Sequence, residues 1–292
     1  MSVIDTANRY EIDVNDVAYL RHGENELLAR VYRPRATGPF PMMVDLHGGA
    51  WCKGDRVNDK LLCEALARSG VVVAALDFRQ PPVGGYPDTM ADINFGVRWF
   101  KSEAERFGCD AGKIGIFGIS SGGQQAMLAA MRPDDPRYAE ITRPETDGRD
   151  ATVGCVVLCW PVIDPLGRYQ YAQQRMAAND GYPKQLPGVL PNHDQYWGTE
   201  DAMSDGSPVQ ILERGETIAT PPVLYVQGED DEMHPRAHLD RFVELYRDRG
   251  GALDLKLYPG EVEGFVTREP RSMANQKDGI ERIIAFVHDQ LS

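Results

Sequence analysis

The stretch Lys113-Ile114-Gly115-Ile116-Phe117-Gly118-Ile119-Ser120-Ser121-Gly122-Gly123 decides how the chain is read. Ile114, Ile116 and Phe117 predict a buried strand, and Gln124 to Met131 predict a helix. Between them Ser120 is flanked by glycines, whose missing Cβ atoms let the chain turn sharply and leave the hydroxyl at the tip. The positive end of the following helix then favours negative charge near that hydroxyl. A tight strand-to-helix turn without chemistry has the same local sequence, so the surroundings must decide.

Outward from that turn, strand-like and helix-like segments alternate. Upstream, residues 11–20 and 25–33 predict two strands joined by the polar turn His22-Gly23-Glu24-Asn25. Met42 to Leu46 predict a strand that ends at His47-Gly48-Gly49-Ala50-Trp51. Leu61, Leu62, Ala65 and Leu66 mark a helix over 58–68, and Val71 to Phe78 form a nearly continuous apolar run, as in a strand covered on both faces. A helix over 88–107 buries Ile93, Val97, Phe100 and Ala104. Downstream, Thr152 to Trp160 predict a strand, followed by strand 222–227, helix 235–249, strand 253–258 and a final helix over 276–290. Residues 161–220 break the alternation, with helical patches at 168–178 and 205–213, and are expected to form a cap insertion within one domain spanning 1–292.

This pattern predicts an α/β fold with a mostly parallel sheet and helices on both faces. Ligands bind beyond the carboxyl ends of such strands. The His47-Gly48-Gly49 loop, the Ser120 turn and the loop Gly228-Glu229-Asp230-Asp231 all fall there. Acyl transfer needs a nucleophile, oxyanion donors, a base and an acid that orients the base. Ser120 is the candidate nucleophile, and the backbone amides of Gly48, Gly49 and Ser121 are the candidate oxyanion donors.

The net charge of −13 disfavours nucleic acid and anionic membranes as partners, and no apolar run approaches the roughly 20 residues of a membrane helix. The first residues show neither a basic start nor an apolar core, so no signal peptide is expected and a cytoplasmic location is. Five scattered cysteines, Cys52, Cys63, Cys109, Cys155 and Cys159, predict neither a disulfide framework nor a zinc site. His234 and His238 are four residues apart but lack a third ligand, so neither metal nor cofactor is expected. The expected partner is a small-molecule substrate; the sequence leaves a homodimer open.

The motifs resemble the α/β-hydrolase superfamily, in particular hormone-sensitive-lipase-like and acetyl-esterase-type carboxylesterases. The resemblance rests on His47-Gly48-Gly49-Ala50-Trp51, on Leu76-Asp77-Phe78-Arg79-Gln80-Pro81-Pro82 with Tyr86-Pro87 and Asp92, on Gly118-Ile119-Ser120-Ser121-Gly122-Gly123, and on Gly228-Glu229-Asp230-Asp231. It implies Asp231, or in a shorter spacing Asp230, as the triad acid. It also implies a histidine just before Gly264-Phe265, where this chain has Glu263. A carboxylate has a reference pKa about two units below imidazole and is a poorer base for serine chemistry at neutral pH. His234, three residues after Asp231, is the candidate relocated base, held by Glu263 or Asp231. His193 is a further candidate, reaching down from the cap. His22, His238 and His288 are expected at the surface, and His47 to orient backbone. Trp51, Trp160, Tyr196 and Trp197 are candidate substrate-binding residues, and Tyr169, Tyr171 and Tyr182 candidate cap aromatics.

Three functions remain open on this reading. One is a serine hydrolase of a small carboxylic ester, an amide or formamide included, acting through an acyl-enzyme on Ser120 with Asp231 assisting an atypical base, Glu263 or His234. Another is an esterase-derived small-ligand binding protein. The third is a lyase, dehydratase or isomerase with Glu263 as base.

Overall fold

A computed structural model describes residues 9–178 and 186–292. Tyr182 lies outside the described residues. Eight strands form one sheet: β1 (Ile12–His22), β2 (Asn25–Pro34), β3 (Phe40–Leu46), β4 (Val72–Leu76), β5 (Cys109–Ile119), β6 (Val156–Cys159), β7 (Val223–Gly228) and β8 (Leu253–Tyr258). Their order is β1-β2-β4-β3-β5-β6-β7-β8. The opening hairpin is antiparallel and pairs with β4 through β2; every pairing from β4 to β8 is parallel. All five residues of β4 and all four of β6 are buried, which explains why those stretches carry apolar residues without alternation.

Helices α1 (Lys60–Ser69) and α9 (Met273–Leu291) cover one face, and α2 (Asp88–Ser102), α3 (Ser121–Met131) and α8 (Arg236–Asp248) the other. The first face buries Leu62, Leu66, Ile283 and Val287 against Val73, Phe117 and Val157. The second buries Phe95, Phe100, Met127 and Phe242 against Val44, Ile116 and Tyr225. The helix expected to run to 107 stops at Ser102 and continues as a 3-10 turn over Ala104–Phe107. The strand expected over 152–160 is shorter, Val156–Cys159.

Between β6 and β7 come α4 (Pro165–Ala178), α5 (Leu190–Trp197), α6 (Glu200–Asp205) and α7 (Pro208–Glu213). The last two begin with side-chain caps, Thr199 accepting from the Ala202 amide and Ser207 from the Gln210 amide. Val209, Ile211 and Leu212 of α7 join the core of the sheet, whereas Tyr196, Trp197 and Met203 build a separate aromatic cluster with Trp51. The strand order reverses between β3 and β5, so the loops leaving these two strands flank a topological switch point. That crevice holds the site.

Candidate active site

Ser120 follows β5 directly and has φ 54° and ψ −117°, a left-handed conformation that costs a non-glycine residue roughly 1–3 kcal/mol. Its neighbours permit the elbow. A Cβ on Gly122 would stand 1.9 Å from the Leu46 carbonyl oxygen, so only glycine lets the start of α3 press against the end of β3. The other described non-glycine residues with positive φ are Ala50, Trp51 and Trp160, in the loops after β3 and β6. Backbone strain therefore gathers on one rim.

The Ser120 hydroxyl lies 3.3 Å from His234 Nε2. His234 Nδ1 lies 2.8 Å from Asp231 Oδ2. Asp231 Oδ1 accepts the backbone N–H groups of Met233 and His234, at 2.9 and 3.2 Å, which folds the segment back on itself. The side chains of His234 and Asp231 are 3% and 1% exposed, so their contact is shielded from water. The carbonyl of His234 is held as well, by Gln227 Nε2 at 3.0 Å. Asp230 points elsewhere and pairs with Arg271.

The loop after β3 lies across from this row. Gly48 packs so close that a Cβ there would sit 3.4 Å from the Ser120 Cβ. Among the described residues the Gly48 and Gly49 amides donate to no protein acceptor. Ser121 supports the loop through its hydroxyl, which accepts the Trp51 amide at 3.1 Å, while Trp51 Nε1 donates to Gln124 Oε1 at 2.8 Å. His47 is buried and stacks on Phe78, with Nδ1 2.8 Å from the Gly48 carbonyl oxygen. Burial holds its pKa below the usual imidazole value, so it stays neutral.

Glu263 is half-buried on the wall of a cleft of about 700 Å³ that also includes Gly48, Gly49, Ser120, Met233 and Arg168. Among the described residues it makes no hydrogen bond to Ser120 or His234; His234 is held by Asp231 instead. The structure also does not bring His193 to the serine. It is buried, bonds the Val189 carbonyl oxygen at 2.9 Å and meets Trp51 edge-on, and burial lowers its pKa to about 3. His238, expected at the surface, is half-buried, and burial lowers its pKa. His22 is not free at the surface, since its Nε2 is 2.8 Å from the buried Asp92 carboxylate. His288 is half-buried with Nε2 3.1 Å from the Ser69 hydroxyl.

Trp51, Trp160, Tyr196 and Trp197, expected to touch substrate, are 2%, 0%, 2% and 4% exposed. Trp51 stacks on Tyr196 and meets Trp197 edge-on, and Trp160 packs on Phe265. Trp51, Tyr196 and Trp197 join the cap helices to the loop after β3, and Trp160 packs in the core of the sheet, so all four are buried behind the cleft. The sequence reading missed Arg168, a buried guanidinium of α4 that lines the cleft. Four residues after Asp164 on a helix, it looks in sequence like an ordinary exposed charge.

All five cysteines are free thiols. Among the described residues no three metal-ligating side chains cluster, and no helix is long and apolar enough to cross a membrane.

Known proteins agree with this architecture. The BD-FAE family profile matches residues 30–245. Esterase LipC of Mycobacterium tuberculosis is 29% identical over 237 residues, covering 78% of this chain and 54% of its own. The ethyl acetate hydrolase of Pseudomonas putida is 31% identical over 257 residues, covering 87% of this chain and 76% of its own. The chain spans about half the length of LipC and of the related M. tuberculosis protein LipM. A solved structure of the Pyrobaculum calidifontis esterase superposes with a TM-score of 0.76 at 25% identity, covering 99% of this chain and 89% of that one. With a family match over most of its length and the elbow, sheet order and rim described above, this chain belongs to the BD-FAE family and has the α/β-hydrolase fold.

Proposed function

We propose that the chain hydrolyses short carboxylic esters through an acyl-enzyme on Ser120, with His234 as base and Asp231 as its orienting acid. The observation that carries this reading is the unbroken row from Ser120 Oγ to His234 Nε2 and from His234 Nδ1 to Asp231 Oδ2, at 3.3 and 2.8 Å. The first distance is long for a hydrogen bond, as is common before substrate compresses the site.

In this reading the Ser120 oxygen attacks the ester carbonyl carbon while its proton passes to His234 Nε2. Asp231 fixes the tautomer with the proton on Nδ1 and stabilises the imidazolium that forms. The oxyanion is met by amides of Gly48, Gly49 and Ser121, the last at the positive end of α3. His234 then donates its proton to the leaving alkoxide oxygen. Water repeats the sequence in reverse and frees the acid. Amides and formamides would follow the same path with a poorer leaving group. The similarity to an ethyl acetate hydrolase supports a short ester as substrate. The described helices between β6 and β7 act as a cap within a single domain, in the cytoplasm.

The binding-protein alternative drew its motive from a missing histidine, and His234 at 3.3 Å takes that motive away. The proton-transfer alternative keeps Glu263 as base. A fluorophosphonate probe tests all three. Labelling at Ser120 in wild type, lost in Ser120→Ala together with hydrolysis of p-nitrophenyl acetate, is the expected result. Folded protein that takes no label, or activity that survives Ser120→Ala, would overturn the proposal.

A further inference from the structure

The guanidinium of Arg168 is unusually placed for a charged group. Arg168 is 3% exposed, and its Nε and Nη2 are buried without a hydrogen-bond partner among the described residues. None of the described carboxylates lies within ion-pair distance of it. Asp231 and Glu263 act on it only at longer range, and Asp231 is already committed to His234. Burial lowers its pKa to about 10, which still leaves it a cation at neutral pH. A buried, unpaired charge is costly, and groups of this kind concentrate where a ligand completes them.

Its position is well defined. The guanidinium lies over the Trp51 ring at 5.3 Å from the centroid, and Trp51 is bolted to Ser121 and Gln124 by two hydrogen bonds. The cation is thus tied to the loop that carries Gly48 and Gly49. It borders two spaces. One, about 10 Å³ and lined also by Asp164, His234 and His238, is at the lower limit for a single water. The other is the 700 Å³ cleft that contains Ser120. Lys53 and Arg268 line the same cleft, opposed by Glu263 and Asp59. Burial pushes the Asp59 carboxyl up to about 7, so this wall is cationic on a chain of net charge −13.

We propose that Arg168 recognises a carboxylate carried by the substrate, so that the preferred substrates are short esters bearing a second, anionic carboxyl group. This deepens the esterase reading above and rests on it. A planar guanidinium held over an aromatic ring carries N–H groups whose fork geometry matches a carboxylate. Completing it would stabilise the bound ester by a charge-assisted contact in a site largely closed to water, which corresponds to roughly tenfold to a hundredfold in kcat/KM.

The test compares each anionic ester with its uncharged isostere. Monoethyl succinate is set against ethyl 4-methylpentanoate for a carboxylate on the acyl side, and 3-acetoxypropanoate against 3-methylbutyl acetate for one on the alcohol side. In wild type at least one anionic ester should exceed its partner by tenfold or more in kcat/KM. Arg168→Met should lower that ratio by at least tenfold, and Arg168→Lys should fall between. Equal or inverted ratios in wild type, or a preference that survives in Arg168→Met, would overturn the proposal. Should Arg168→Met not fold, titration calorimetry with folded Ser120→Ala decides: monoethyl succinate should bind at least tenfold tighter than ethyl 4-methylpentanoate, and equal affinities overturn it. Because that measurement needs no turnover, it separates failure of this proposal from failure of the esterase reading, which fluorophosphonate labelling reports.

Discussion

The loops that leave β7 and β8 are neighbours on the rim, yet they present very different chemistry. The first folds tightly: Asp231 caps two amides three residues around and holds the imidazole of His234 with its second oxygen. The second carries Glu263, which reaches the same cleft but approaches neither Ser120 nor His234 within hydrogen-bond distance. The resemblance to known esterases places the base on the second loop; the geometry favours the first. A catalytic group is thus specified by where its proton-accepting atom lies, and sequence position is only a proxy for that.

The largest expected effect separates the two loops outright. His234→Ala should lower kcat/KM on a short p-nitrophenyl ester by about 10³–10⁴, whereas Glu263→Gln should cost less than about tenfold. The opposite ranking, read from initial rates of the purified variants, would move the base to the β8 loop. Asp231→Asn should fall by roughly 10²–10⁴ with KM nearly constant, because an amide cannot orient and charge-stabilise the imidazolium. Asp230→Asn should stay within about twofold, since Asp230 pairs with Arg271 away from the triad row.

A third prediction sharpens the role of the β8 side. Arg268 follows that loop and lines the same cleft as Asp59, drawing its carboxyl down against the stronger upward push of burial. Asp45, buried beside it, is also raised, first by burial and then by the charge of Asp59. An acid raised in the fold to about 7 favours folding while protonated. That contribution is complete below the unfolded value near 4 and lost as pH rises through about 7. Asp59→Asn should therefore flatten the decline of Tm between pH 5 and 8, leaving the variant a few degrees more stable at pH 8. A variant whose Tm tracks wild type at each pH, followed by calorimetry, would show that Asp59 is not strained by its burial. A smaller change on KM belongs to Glu263 itself. Removing its charge, which acts on Arg168 at longer range, should lower KM for monoethyl succinate about two- to fivefold in Glu263→Gln and leave KM for the uncharged isostere within twofold.

Much of this was legible from residues alone. The buried runs of β4 and β6, the two glycine loops and Ser120 all follow from patterns that one physical cause controls, whether burial on both faces or absence of a Cβ. His234 was legible only as a candidate base, because it reaches the serine through an Asx-type turn whose carbonyl is held by a hydrogen bond from Gln227. The aromatics of the cap were harder still. Trp51 and Tyr196 have the same composition whether they face a ligand or each other, and their mutual stacking is a tertiary fact. Arg168 gave no signal, since burial of a charge on an amphipathic helix cannot be inferred from spacing.

The separation of three residues between Asp231 and His234 carries a consequence for engineering. In a triad assembled from three distant loops, two contacts between remote parts of the chain must be kept in register. Here, if Asp231 and His234 act as proposed, their contact is internal to one short peptide, leaving a single long-distance alignment, serine to imidazole, for the scaffold to maintain. On the proposed reading the stretch from Gln227 to Pro235 carries acid and base together, so displacing this one stretch moves both at once relative to Ser120.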